Sequence, residues 1–145
     1  MKTGNRAAGS LLVSIVDDDA SMRSSTRRLL GTFGFRAEAF ASAQAFLDSG
    51  RLEDTACLVL DVRMPGMDGL ELQRRLASRD RQLPIIFVSA HASAHEEARA
   101  MQAGALAFLR KPVSAEALLS ALRAAEAAAL RGGPEDADEG RRPES

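Results

Sequence analysis

Cysteine is almost absent. Cys57 is the only one in 145 residues, so no internal disulfide can close and no zinc cluster of cysteines is available. It sits in the apolar run ACLVL, where a thiol serves as a small core side chain. Positive charge is not in excess either. A formal net charge of -1 gives no overall field to hold nucleic acid, which argues against a DNA-binding chain and leaves only local patches. No window approaches the roughly 18 apolar residues of a membrane span, and MKTGNRAAGS lacks the apolar stretch of a secretion signal. The expectation is a soluble cytoplasmic protein. Internal repeats and glycine-rich nucleotide fingerprints are missing as well.

What the sequence does have is alternation. Its 46% hydrophobic and 27% charged residues suit one domain with a real core. Five apolar segments stand out as strand candidates: LLVSIV (11–16), FRAEAF (35–40), CLVLD (57–61), PIIFVS (84–89) and ALAFLR (105–110). The first, third and fourth are nearly continuous in Val, Ile and Leu, as strands covered on both faces should be. The second and fifth are more mixed and suit the sheet edges. Between them, Met22, Thr26, Leu29, Leu30 and Phe33 fall on one face of a helical period, which Gly34 ends. Leu70, Leu72 and Leu76 mark a third helix, and Leu118, Leu119 and Leu122 a short last one. Ser114 suits its N-cap, with Glu116 in the first turn and Gly132 past the end. This rhythm implies an α/β domain with a parallel sheet covered on both sides. It spans 11–130, flanked by a disordered segment 1–10 and a disordered tail or linker 131–145, where GGPEDADEGRRPES offers nothing large and apolar.

In such sheets ligands gather beyond the carboxyl ends of the strands. LVLDVRMPGMDGLEL (58–72) puts Asp61 there, at the end of a run that reads as buried. The other strand ends supply Asp17, Asp18 and Asp19, then Ser89, then Lys111 and Pro112. Singly these read as ordinary parts: Asp19 an N-cap, Asp17 and Asp18 loop residues, Lys-Pro a turn, Ser89 a small polar residue. Together they are chemistry. Clustered carboxylates raise one another's pKa unless a cation meets them, and hard oxygen donors suit Mg²⁺. Phosphoryl transfer to a carboxylate needs this set: a held but free nucleophile, with a metal, an ammonium and a hydroxyl around the phosphoryl oxygens. Asp18 and Asp61 would hold the metal, Lys111 would bind the phosphoryl group and Ser89 would hydrogen-bond it. Nothing resembles a hydrolytic triad.

VDDDASMR, LDVRMPGMDG, VSA and FLRKP, in this order and spacing, resemble the receiver domain of two-component response regulators over roughly Leu11 to Leu130. The resemblance implies a flavodoxin-like, doubly wound sheet of five parallel strands in the order 2-1-3-4-5, with five helices. It implies that Asp61 takes phosphate from a sensor histidine kinase. Asp18 would be a direct Mg²⁺ ligand, Asp17 one acting through water, and the Arg63 backbone carbonyl a further ligand. Ser89 matches the switch hydroxyl, Lys111 the lysine before a cis proline, and Phe108 the switch aromatic. Such a domain is a phosphoacceptor that assists its own phosphotransfer and dephosphorylation, not a turnover enzyme. It binds neither nucleic acid nor membrane in this segment. Arg63 and His91, two residues beyond Asp61 and Ser89, are expected to flank the hydrolytic water and tune the phosphate's lifetime; His95 has no assigned role. Val113 stands where many members carry Phe, and Phe108 lacks a Tyr hydroxyl.

A dehalogenase-type aspartyl phosphatase is the rival reading, but it wants a second Asp where Arg63 stands. The wording DVRMPGMDGLEL and the short last helix resemble receivers that precede helix-turn-helix outputs and form homodimers when phosphorylated. A receiver that works alone, passing phosphate on, is the alternative. The helix face near Met22 and Arg23 is where the resemblance puts the kinase.

Overall fold

The three near-continuous Val/Ile/Leu runs become the inner strands of one sheet. The computed structural model describes residues 11–79 and 82–131. Its elements run β1 (Leu12–Val16), α1 (Ala20–Thr32), β2 (Arg36–Phe40), α2 (Ala43–Asp48), β3 (Thr55–Leu60), α3 (Gly69–Ser78), β4 (Ile85–Ser89), α4 (Ala94–Gln102), β5 (Ala107–Arg110) and α5 (Ala115–Arg131). All strand pairs are parallel, in the order β2-β1-β3-β4-β5. The fold is the doubly wound, flavodoxin-like one, with mixed β2 and β5 at the edges as their composition predicts. The segments 1–10 and 132–145 lie outside the described residues, and Gly132 with them.

Strand alternation divides the core in two. Val13, Ile15, Cys57, Val59, Ile86 and Val88 face α1 and α5, where Leu30, Leu118 and Leu122 cover them. Leu58, Leu60, Ile85 and Phe87 face α2, α3 and α4, under Phe46, Leu72, Leu76 and Ala100. Period two in the strands and 3.6 in the helices therefore meet at the same two layers. Cys57 is a core residue as expected, and burial pushes its thiol up to about 12, which keeps it unreactive. Ser14 and Thr55 are buried polar residues of the inner strands, and their hydroxyls pair at 2.8 Å.

Helix starts follow the sequence signals. Asp19 caps α1 by accepting from the Met22 N–H at 3.1 Å, and Ser114 accepts from Ala117 N–H at 3.0 Å. Ser42 caps α2 in the same way through Ala45 N–H at 3.0 Å. Because the Ser42 hydroxyl serves an N–H of its own helix, Ser42→Ala is expected to cost about 1 kcal/mol in urea unfolding.

Three differences from the sequence reading exceed a single residue. β3 begins at Thr55 rather than Cys57. β5 begins at Ala107 rather than Ala105, since Ala105 N–H still closes the end of α4 on the Ala100 carbonyl at 3.0 Å and Gly104 turns with φ 103°. The last helix is not short: α5 has 17 residues, because the alanine-rich run AAEAAAL has the best intrinsic helix propensity. No helix among the described residues is long and apolar enough to cross a membrane.

Candidate functional site

β1 and β3 are neighbours, yet the chain leaves them toward opposite faces of the sheet. Their carboxyl ends therefore open a crevice at the switch point. Asp17 follows β1 and Asp61 follows β3, with the Asp61 N–H bonded to the Val16 carbonyl at 3.0 Å. Both carboxylates are buried, while Asp18 is exposed. Each of the three offers an oxygen, and these oxygens lie within 4.8 Å of one another.

The partner demanded by a charge at the end of a buried strand is present. Lys111 Nζ lies 3.2 Å from Asp17 Oδ2 and 3.5 Å from Asp61 Oδ2. Lys111 is brought there from the end of β5: its N–H donates to the Ser89 carbonyl at 2.9 Å, and the Lys111–Pro112 bond is cis. Burial opposes the ammonium, but the charges of Asp61 and Asp17 outweigh it and hold Lys111 above its ordinary 10.5. Asp61 is pushed the other way. Burial is the largest influence, Asp17 adds to it, and Lys111 with the Arg63 N–H only partly offsets them, so its carboxyl stays above the ordinary 3.8. One ammonium does not satisfy this rim.

The loops are fixed by backbone bonds. Asp17 Oδ1 accepts from Asp19 N–H at 2.9 Å, and Arg23, expected on a docking face, donates from Nη1 to the Asp17 carbonyl at 2.9 Å. The Arg63 N–H donates to Asp61 Oδ1 at 3.3 Å. Ser89 is fully buried, and its hydroxyl has no hydrogen-bond partner among the described residues. A buried polar atom in that state costs free energy unless a ligand oxygen meets it. Phe108 is half-buried and stacks on Phe87 at 5.7 Å.

The expected rim residues Asp17, Asp18, Asp61 and Lys111 thus come together. Arg63 is joined to the site through its backbone, whereas its guanidinium pairs with Glu96 of α4 at 2.8 Å. His91 is exposed on the loop after β4. Two contributors were invisible in the sequence. Gly69 lies so close to the Asp61 carbonyl that a Cβ there would collide with it. Arg110 ties the end of β5 to α4 through Glu97 and to the loop before α4 through Ala92; only its place beside Lys111 hinted at it.

Fold and rim together define an α/β protein with an acidic, lysine-bridged centre at the switch point of a doubly wound sheet. The family model for the response regulator receiver domain matches residues 13–123. The response regulator protein TmoT of Ectopseudomonas mendocina is 45% identical over 115 residues, covering 79% of this chain and 52% of that protein. The transcriptional regulatory protein FixJ of Bradyrhizobium diazoefficiens is 41% identical over 121 residues, 81% of this chain and 59% of FixJ. A CheY-like receiver domain protein from Methanospirillum hungatei superposes with a TM-score of 0.78 at 27% identity, over 86% of this chain and 99% of its own. The chain belongs to the response regulator receiver domain family of two-component systems. It spans about half the length of the curated relatives it matches.

Proposed function

We propose that this domain is a Mg²⁺-dependent phosphoacceptor that takes a phosphoryl group on Asp61 from a sensor histidine kinase in the cytoplasm. The observation that carries this reading is the meeting of Asp17, Asp18, Asp61 and Lys111 at one strand-end rim. The donor set fits the ion, being three carboxylates whose repulsion one lysine leaves partly uncompensated. Asp18 and Asp61 would hold it directly, Asp17 through water, with the Arg63 carbonyl completing the protein's share. When bound, Mg²⁺ supplies positive charge to the phosphoryl oxygens.

The remaining steps fall to the chain. An Asp61 carboxylate oxygen attacks phosphorus, the bond from phosphorus to the kinase imidazole nitrogen breaks, and the imidazole departs. Lys111 stabilises the charge gathering on the phosphoryl oxygens. Phosphorylation then adds about -1.5 to -2 charge at the end of β3. Ser89, whose hydroxyl has no other partner among the described residues, turns to those oxygens, and Phe108 follows into the space it leaves. The surface of α4, β5 and α5 changes with it, and that surface governs a homodimer or an output partner. The domain does not turn over a substrate; it assists its own phosphorylation and hydrolysis, with Arg63 and His91 tuning the latter. The relatives' names, which include a transcriptional regulatory protein, support a regulator whose output lies in a further domain.

The test is acetyl phosphate with Mg²⁺. One phosphoryl group labile to alkali and hydroxylamine is expected, mapped to the peptide holding Asp61 and lost when EDTA replaces Mg²⁺. Label on another residue, or label indifferent to EDTA, overturns the reading.

A further inference from the structure

We propose that Arg110 is a latch: it holds Phe108 and the first turn of α4 in the unphosphorylated arrangement and so sets how readily Asp61 is phosphorylated. The proposal rests on the phosphoacceptor reading above and adds to it a residue outside the phosphoryl site. Arg110 ends β5, one residue before Lys111. Its Nη1 donates to the Ala92 carbonyl at 2.7 Å, and its Nη2 donates to Glu97 Oε1 at 2.7 Å. Its guanidinium carbon stands 5.5 Å from the centre of the Phe108 ring. One side chain therefore ties together the loop after β4, the first turn of α4 and the switch aromatic.

Only arginine can do all three. Its planar fork serves two acceptors at once and its face attracts an aromatic ring, whereas a lysine ammonium is a single point. The two neighbours of Phe108 differ in kind. Phe87, 5.7 Å away, is fully buried and fixed in the core. Arg110 has a side chain 45% exposed, so it can swing into water. Of these two contacts, the one to Arg110 is therefore the one free to open when Phe108 moves.

The latch is weak by construction. An exposed ion pair contributes little, and so does an exposed cation–ring contact; a restraint of that size biases a two-state element without locking it. Glu96, beside Glu97, is gripped from the other side. It completes the α4 capping box with Ser93 and pairs with Arg63 at 2.8 Å. The first turn of α4 is thus held from the loop after Asp61 and from β5, and the β5 hold is the one that also touches Phe108.

Arg110→Ala is expected to speed acetyl-phosphate labelling of Asp61 about threefold to tenfold, the range that loss of such contacts implies. It should also raise amide hydrogen exchange over residues 93–97 in the unlabelled protein. Damage to the structure alone would slow labelling, so acceleration is the informative sign. Arg110→Lys should give a smaller acceleration. Glu97→Gln should give part of it, and combined with Arg110→Ala it should add nothing. If wild type is labelled but Arg110→Ala labels at the same rate or slower, the latch is overturned alone. If wild type takes no label, the phosphoacceptor reading falls first.

Discussion

Asp61→Asn is expected to lose acetyl-phosphate labelling completely and, without metal, to make the fold more stable at neutral pH. The first half follows from chemistry: an amide oxygen is a far weaker nucleophile than a carboxylate. The second follows from the environment. Burial and Asp17 hold the Asp61 carboxyl above its ordinary 3.8 in the folded protein, so its ionised form works against folding at neutral pH. That penalty is full above the raised folded value and fades as pH falls through it toward 3.8. Lys111 runs in the opposite sense. Its raised value contributes stability that is whole below 10.5 and is lost as pH rises through the folded value. An asparagine keeps an oxygen for Lys111 and removes the charge that burial opposes. Urea unfolding of both proteins at pH 7 in EDTA, repeated near pH 4, measures this. The gap between them should shrink at the lower pH; an Asn variant less stable than wild type at pH 7 contradicts the electrostatic account.

The same environment explains which parts of the site could be read from the chain. Leu12–Val16, Thr55–Leu60 and Ile85–Ser89 are buried nearly throughout, so their apolar runs announce inner strands, and the residues just after them are site candidates. Asp17, Asp18, Asp61, Ser89 and Lys111 are legible that way because strand ends are a property of local sequence. The side-chain links are not. Arg63 finds Glu96 across 33 positions and Arg110 finds Glu97 across 13, and charge alone gave either arginine many equal choices. Nor could the unbonded state of the Ser89 hydroxyl be anticipated, since it depends on every neighbour at once. The length of α5 escapes the sequence for a different reason: alanine gives a weak apolar period but a strong helix.

Gly69→Ala should be the most damaging single methyl group in the domain, costing about 2–3 kcal/mol and slowing labelling of Asp61 tenfold or more. Within a helix the change from glycine to alanine normally stabilises, by up to about 1 kcal/mol, so the predicted sign is itself diagnostic. Gly69 opens α3 just after its cap, Asp68, which accepts from Glu71 N–H at 2.9 Å. Its own N–H donates to the Val62 carbonyl at 2.9 Å, which draws the helix start onto the end of β3. An added Cβ would run into the Asp61 carbonyl oxygen, with Asp61 C and Phe87 Cε1 each at 3.1 Å. Neither obstacle yields easily. The Asp61 backbone is bonded to β1, Phe87 is fully buried, and α3 is anchored by Leu70, Leu72 and Leu76. Relief therefore has to come from moving the helix start or the strand end, and the second moves the Asp61 carboxylate relative to Lys111. Gly31→Ala in α1 is the control, since a Cβ there meets nothing within 4 Å; it should stabilise by about 0.5–1 kcal/mol without altering labelling. A Gly69→Ala protein that unfolds at the wild-type urea concentration and labels at the wild-type rate would mean that this close approach does not position the nucleophile.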